Sequence, residues 1–476
     1  MVIAAYYTLA YLGHPRLPGN QDGQPLGWWG WFDQSVTLRS TAALARGNLD
    51  PSQHHYPLGY SLMGVPFFSA ARNHPFFFVN LLSLLGTYAG FVAFARRLGL
   101  PAVLAAGVFA LVTAGDMALF RQWVVPWNTT PVGAFVWLLL AACAAWLDGA
   151  RRPLWIGVLL GAVAVCRPSD AVVLLPCVAT LAWADRRAWR ASTRDWLRLA
   201  AAGAAVVAPF VVLHLLIYGP AQSLYMQSSA RIGFTLHDFG WKAYVLFVDP
   251  FPWFADGKGL LQHAHWIALG LAGVVPALLG GAKSRMLAGV LVAHGVLYVS
   301  YVDLLPSGLW RFLNVHYFAW AVPGYALLAV LLARGFVASR RSRVVAGASV
   351  VGVGLLLCVR VVPRAVADNE PAKAVDFTGP LPPFPDTYLA GRLALQDARG
   401  VLRDQTDMRA FIYPRGVRVV GLRRDLAGPV SWAPGQAPQG FEGAVPSARW
   451  GVELQLAWPP RWLRRASPPG IPVPVS

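Results

Sequence analysis

Along residues 1–362 stretches of apolar residues alternate with short polar breaks. They lie near 1–13, 75–95, 102–116, 131–147, 153–166, 170–184, 197–217, 260–281, 286–303, 315–333 and 344–362, each bounded by charge, Pro or Gly. A bilayer crossing takes about 20 apolar residues in a helix. Stretches of this kind therefore predict an all-α polytopic membrane bundle of about 11 transmembrane helices over 1–363. The shorter stretches suit helices that line a cavity rather than face lipid. Two polar intervals are long, 14–74 and 218–259, and both are dense in Trp, Asp, His and Pro. Long loops on one face of a bundle are where sites are usually built.

From 364 to 476 Pro and Gly rise and no stretch is able to span. Tyr388 to Gln405 reads as a helix, and Met408–Pro414, Val417–Leu422 and Gly451–Trp458 read as strands. The expectation is a small C-terminal α+β domain, roughly residues 370–460.

Composition agrees with a membrane protein. Charged residues make up 13% of the chain and hydrophobic ones 56%, whereas a soluble domain carries about 25% charged residues. A net charge of +18 would suit a nucleic-acid binder, but its distribution excludes that. Five alternate loops (Arg96–Arg97; Arg151–Arg152; Arg186 to Arg198; Lys283–Arg285; Arg334 to Arg343) hold 15 basic residues against three acids, Asp148, Asp185 and Asp195. The opposite loops hold ten basic residues and nine acids. Cytoplasmic loops carry the Lys/Arg excess, so the amino terminus is expected inside and the tail outside a bacterial-type cytoplasmic membrane. Val2–Leu12 lacks the basic flank and small-residue cleavage site of a signal peptide. Cys143, Cys166, Cys177 and Cys358 sit in apolar stretches without metal-ligand spacing, as packing residues do. Asn128-Thr129-Thr130 matches a glycosylation sequon by chance in such a protein. No Gly-rich nucleotide loop is present.

The first long loop concentrates the candidate chemistry. It carries Trp28-Trp29-Gly30-Trp31-Phe32-Asp33-Gln34, then a helical stretch to Arg46-Gly47-Asn48, then His54-His55-Tyr56-Pro57-Leu58-Gly59-Tyr60. Three further segments follow. They are Gly157-Val158-Leu159-Leu160-Gly161 with Cys166-Arg167-Pro168-Ser169, Gly257-Lys258-Gly259-Leu260-Leu261, and Trp310-Arg311-Phe312 with His316-Tyr317 and Pro323. In this order they resemble the integral-membrane C-type glycosyltransferases, which use polyprenyl-phosphate sugars and include membrane mannosyl- and aminoarabinosyltransferases. The sequence departs from their loop motif at Leu58, where a second Pro stands.

That resemblance implies a transferase that moves a sugar to a glycan, lipid or protein acceptor at the outer membrane face. It implies Asp33 as the acid of the first loop, with Asp116 as a second acid. Transfer from a lipid phosphate needs cations for the phosphate and a carboxylate to take the acceptor's proton. Arg167, Lys258 and Arg311 are the candidate phosphate ligands, and Gln34, His54, His55, Tyr56 and His316 the substrate contacts. Asp33 is set among Trp28, Trp29, Trp31 and Phe32, an apolar setting that favours proton uptake. The competing reading makes Asp33 a helix cap, although no capping box supports it because Val36 stands at the third position. Asp116 could equally cap a helix or pair with Arg121. The three cations could instead snorkel to the interface, and Asp22, Asp50, Arg39 and Arg46 read as solvated loop charges. A lone His54-His55 pair is not a metal motif. No cofactor is called for, and assistance by a divalent metal stays open. The rival from another class is a transporter or lipid flippase, which would show paired broken helices and mid-membrane charges; a structural or assembly subunit is a third reading.

The charge asymmetry makes a direct prediction. A reporter fused after residue 362 reads out as external and one fused near Arg190 as cytoplasmic; a cytoplasmic tail would remove the outer-face site.

Overall fold

The computed structural model describes residues 2–13, 32–72, 74–223, 225–227, 239–249, 259–301 and 314–366, positions 234 and 236, and strand residues between 373 and 456. The chain forms two units. The first comprises Met1–Arg231, Trp266–Tyr298 and Val315–Val351; the second comprises Ile232–His265, Val299–Asn314 and Gly352–Ser476.

The helices run α1 (Val2–Leu12), α2 (Phe32–Ala45), α3 (Leu58–Phe68), α4 (Phe76–Arg97), α5 (Ala102–Ala114), α6 (Met117–Val124), α7 (Thr129–Leu147), α8 (Pro153–Cys166), α9 (Leu175–Asp185) and α10 (Trp189–Tyr218). After them come α11 (Phe239–Ala243), α12 (Leu260–His263), α13 (Ile267–Ala272), α14 (Val274–Leu278), α15 (Ala282–Ser300), α16 (Val322–Val337) and α17 (Arg340–Cys358). All eleven expected stretches fall wholly or partly on these helices. Among the described residues, α4, α7, α10 and α17 are each long and apolar enough to cross a membrane, and the α5–α6 pair makes a fifth span bent by 91°. Five shorter apolar helices accompany them. The chain is thus a mostly helical, multi-pass membrane protein, and the expected count of 11 full crossings exceeds the helices that meet the length requirement by themselves.

Local chemistry sets the helix ends. Past α2, Gly47 adopts φ 69°; its N–H bonds the Leu44 carbonyl at 3.0 Å and Asn48 N–H bonds that of Ala43 at 2.9 Å. This paired closure needs a left-handed residue, which glycine adopts without steric cost. The same closure ends α4 and α7. The α5–α6 bend is stabilised at Asp116, whose carboxylate accepts from the N–H groups of Ala118 (2.8 Å) and Leu119 (3.2 Å). After α8, Pro168 cannot continue the helix and holds Arg167 extended, at φ −149° and ψ 94°.

Charged loops gather at one end of the first unit. Arg97 pairs with Asp148 at 2.9 Å, and Lys283 bonds the same carboxylate. Arg151 reaches Asp185 at 2.9 Å and Asp195 at 3.3 Å, while Arg334 donates to the carbonyls of Leu98 and Gly99. All five basic loops are therefore represented at the ends of α4, α7 and α16 and the beginnings of α8, α10 and α15. Nineteen residues of α7 rise about 28 Å, close to the roughly 30 Å hydrocarbon thickness, and separate this end from the opposite one.

Glycines let α8 and α10 approach closely. A Cβ on Gly157 would lie 2.1 Å from the Leu199 carbonyl oxygen, and one on Gly161 2.9 Å from that of Gly203. Small residues at such crossings replace hydrophobic driving force with backbone contact. The glycine spacing noted in the sequence is thus spent on helix packing.

In the second unit, strands β1 (Val359–Val366) and β10 (Ser447–Leu456) pair antiparallel, from Val359 opposite Leu456 to Val366 opposite Arg449. Strands β5 (Met408–Tyr413) and β6 (Gly416–Gly421) form a hairpin pair, and β2 (Lys373–Phe377) pairs with β3 (Leu393–Gln396). The expected strands near 408–414, 417–422 and 451–458 are present. Of the expected helix over 388–405, the described residues lie in β3 and β4 (Leu402–Arg403).

The α8–α10 contact generates a stability prediction. Gly157→Ala should lower the thermal midpoint in detergent, at about 1–3 kcal/mol for an overpacked site. Gly107→Ala, which meets nothing within 4 Å, should leave it unchanged.

Candidate functional site

The site lies at the end of the first unit opposite the basic loops. Its first part is the start of α2. Asp33 is the second residue of that helix, two places beyond the position a capping side chain takes. The Tyr56 hydroxyl donates a hydrogen bond to Asp33 Oδ1. Burial, with the Asp33 carboxylate beside it, holds the Tyr56 hydroxyl far above its ordinary pKa, and Tyr317 and Tyr225 act in the same direction. Tyr56 is therefore a fixed donor that orients the carboxylate.

The loop that delivers Tyr56 is tied down residue by residue. Asp50 caps the short 3-10 turn Pro51–Gln53 by accepting from Ser52 N–H at 2.9 Å. His54 Nε2 lies 2.9 Å from the Asn48 carbonyl and Nδ1 2.9 Å from the Ser40 hydroxyl. A carbonyl only accepts, so Nε2 carries the proton and Nδ1 accepts from Ser40. The Tyr218 hydroxyl donates to the His54 carbonyl at 2.7 Å. Beyond this anchor, the rings of His55, Tyr56 and Tyr225 pack mutually edge-on at centroid distances of 4.9, 4.9 and 6.0 Å.

The second part is the break after α8. Arg167 Nη1 donates to Asn128 Oδ1 at 2.8 Å. Its Nε lies 3.4 Å from Asp170 Oδ2, an ion pair without hydrogen-bond alignment. The guanidinium lies over the rings of Tyr317 (4.9 Å) and Tyr298 (5.6 Å), and the Tyr298 hydroxyl donates to Asp170. Next to Asn128, Trp127 stacks on His316 at 3.9 Å and 6°. Tyr317, under the Arg167 guanidinium, is also near enough to Tyr56 to favour the neutral form of its hydroxyl.

These positions refine the candidate set. Asp33, Tyr56 and His55 come together, as do Arg167 and His316. His54, expected as a substrate contact, has both ring nitrogens engaged by the protein and is 2% exposed; it is a loop anchor. Asp116, expected as a second acid, caps α6, the alternative weighed for it. Arg167, expected to hold phosphate, is 7% exposed and already faces a carboxylate. Gln34 is buried with neither end of its amide hydrogen-bonded. Lys258, Arg311 and the tryptophans Trp28, Trp29 and Trp31 lie outside the described residues. Among the described residues, no three His, Cys, Asp or Glu converge in a metal-binding group. Sequence reasoning missed Asn128, Asp170, Tyr225, Tyr298 and Tyr317. Of these, Asp170 carried a local signal as an acid three residues after Arg167, and Tyr317 stood beside His316 in a recognised segment.

No protein-family pattern matches the chain, and no characterised protein matches it by sequence. Among solved structures it is similar to ArnT from Cupriavidus metallidurans bound to undecaprenyl phosphate, with a TM-score of 0.42 and 15% identity over 75% of this chain. It is similar also to the apo state of that protein, at 0.40 and 16% over 75%. The chain covers 63% and 64% of those two structures.

The buried loop anchor has a pH signature. Burial depresses the pKa of His54 from its ordinary 6.5 despite the Asn48 carbonyl and Asp50, which favour the charged ring. The folded state thus holds His54 neutral, so its contribution is complete above about 6.5 and is lost as pH falls through the folded value. The thermal midpoint should drop between pH 7.5 and 5, and His54→Gln should reduce that slope. His55 and His74, shifted the same way by burial, retain part of it.

Proposed function

We propose that the chain is a membrane glycosyltransferase. It moves a sugar from a polyprenyl-phosphate donor to a hydroxyl of a cell-envelope glycan, lipid or protein at the outer face of a bacterial cytoplasmic membrane. The observation that carries this reading is the Asp33 carboxylate, held by the Tyr56 hydroxyl in the loop whose motifs resemble those enzymes. The gathering of the basic loops at the opposite end of the bundle supports the external placement.

In this reading Asp33 is the general base. The acceptor hydroxyl gives its proton to the carboxylate as its oxygen bonds the anomeric carbon, and the bond from that carbon to the phosphate oxygen breaks. Phosphate leaves as a stable anion and needs no acid. Tyr56 keeps the carboxylate oriented, which is worth more than its strength as an isolated hydrogen bond because misplacement by about 1 Å costs on the order of 100-fold in rate. The rings of His55 and Tyr225 wall the same corner.

Replacing Asp33 by Asn tests the assignment, because Asn keeps size and hydrogen-bonding capacity but cannot take the proton. Transfer from polyprenyl-phosphate sugars to an acceptor should fall by about 100- to 10,000-fold, with the thermal midpoint near that of wild type. Full activity in Asp33→Asn would sink the base assignment; lost stability would return Asp33 to a structural role.

A further inference from the structure

The outer half of α2 carries polar groups that the protein itself does not satisfy. The Ser35 hydroxyl belongs to a residue 1% exposed and has no hydrogen-bond partner, and neither has the buried Nε of Arg39. Four residues apart, Ser35 and Arg39 lie on one helix face, and helical side chains lean toward the N-terminus, here toward Asp33. Among the described residues no carboxylate pairs with Arg39. Arg97, Arg151, Arg167, Arg198 and Lys283 each have one. His55 lies close enough for the Arg39 charge to add to burial in keeping that imidazole neutral, and its ring touches Tyr56, the partner of Asp33.

Buried donors without partners cost free energy, more so on a charged group. A guanidinium and a hydroxyl on one face, beside a neutral imidazole, offer donors in the geometry that a tetrahedral oxyanion accepts. We propose that Arg39 and Ser35, with His55 alongside, bind a phosphate-type anion at the edge of the Asp33 site. Arg167 is less suited to this task because Asp170 already balances its charge. The anion is either the head of a lipid phosphate or free phosphate. The assignment stands on the unmet donors of α2 and does not depend on sugar transfer.

The experiment compares purified full-length wild type with Arg39→Gln, Arg39→Lys and Ser35→Ala in detergent. Binding is measured for undecaprenyl phosphate, for inorganic phosphate, and for undecaprenol, which has the chain without the charge. Wild type should prefer the lipid phosphate to the alcohol. Arg39→Gln should weaken phosphate binding on the order of 10- to 100-fold, Arg39→Lys should recover part of it, and undecaprenol binding should not move. Ser35→Ala should weaken it about tenfold, which keeps the inference testable if Arg39→Gln does not fold. An Arg39-dependent loss for the lipid phosphate alone assigns the source to the lipid; the same loss for inorganic phosphate assigns it to the free ion. Phosphate affinity unchanged in Arg39→Gln, or no preference of wild type for phosphate over alcohol, overturns the proposal. Arg39-dependent binding in a protein that transfers no sugar would leave it standing while the transferase reading fell.

Discussion

The Arg167–Asp170 pair is the constraint on which the site end of the first unit depends. Asp170 is 2% exposed, and two charges at that depth persist only if they neutralise each other and their remaining hydrogen-bonding groups are engaged. Asn128 and the Tyr298 hydroxyl supply those contacts, and the rings of Tyr298 and Tyr317 cover the guanidinium. Four chain segments thereby meet: the start of α7, the break after α8, the end of α15 and the 3-10 turn Asn314–Tyr317. Removing one partner of such a pair strands the other charge, at about 3–5 kcal/mol, so the pair ties these four segments together at one point.

Tyr317 lies under the Arg167 guanidinium and near enough to Tyr56 to favour the neutral form of its hydroxyl. Tyr56 in turn holds Asp33, so the break after α8 and the start of α2 stand on the same side of the unit. His54 secures the same loop from the other side, through Ser40 and Asn48, and Tyr218 brings in the end of α10. The corner around Asp33 is built from segments far apart in sequence, each stopped at its place by Pro168, Gly47 or a cap.

Much of this was legible before any coordinates. Each of the eleven apolar runs falls wholly or partly on a helix, because each run ends at charge or at a residue that breaks helices. Gly47 was legible as the end of α2, since a left-handed position after an amphipathic stretch has few other occupants. Asp33 and Tyr56 were each legible as site residues from the first-loop motif, but their hydrogen bond was not: it depends on how the loop 46–57 folds back. Helix α3 was hidden because the interval 14–74 is polar on average, although Leu58–Phe68 is apolar. Arg39 read as a solvated charge because nothing local announces that the face it shares with Ser35 is covered. Tyr225 and Tyr298 carry no signal at all, being single aromatics placed only by tertiary packing, whereas Tyr317 stood in a recognised segment without a role of its own.

At the charged end of the first unit, the double use of Asp148 has a bearing on biogenesis. Its carboxylate takes Arg97, 51 residues earlier, and Lys283, 135 residues later. Chains emerge during synthesis at about 5–20 residues per second, so roughly 7–27 s separate the synthesis of Asp148 from that of Lys283. Through that interval α4 and α7 can already be joined by Arg97, whereas α15 does not yet exist. The nascent bundle thus passes through a half-latched stage. Its early helices are clasped at the charged end before the strand of chain that supplies Tyr298 and Tyr317 has left the ribosome, and the corner around Asp33 is completed last.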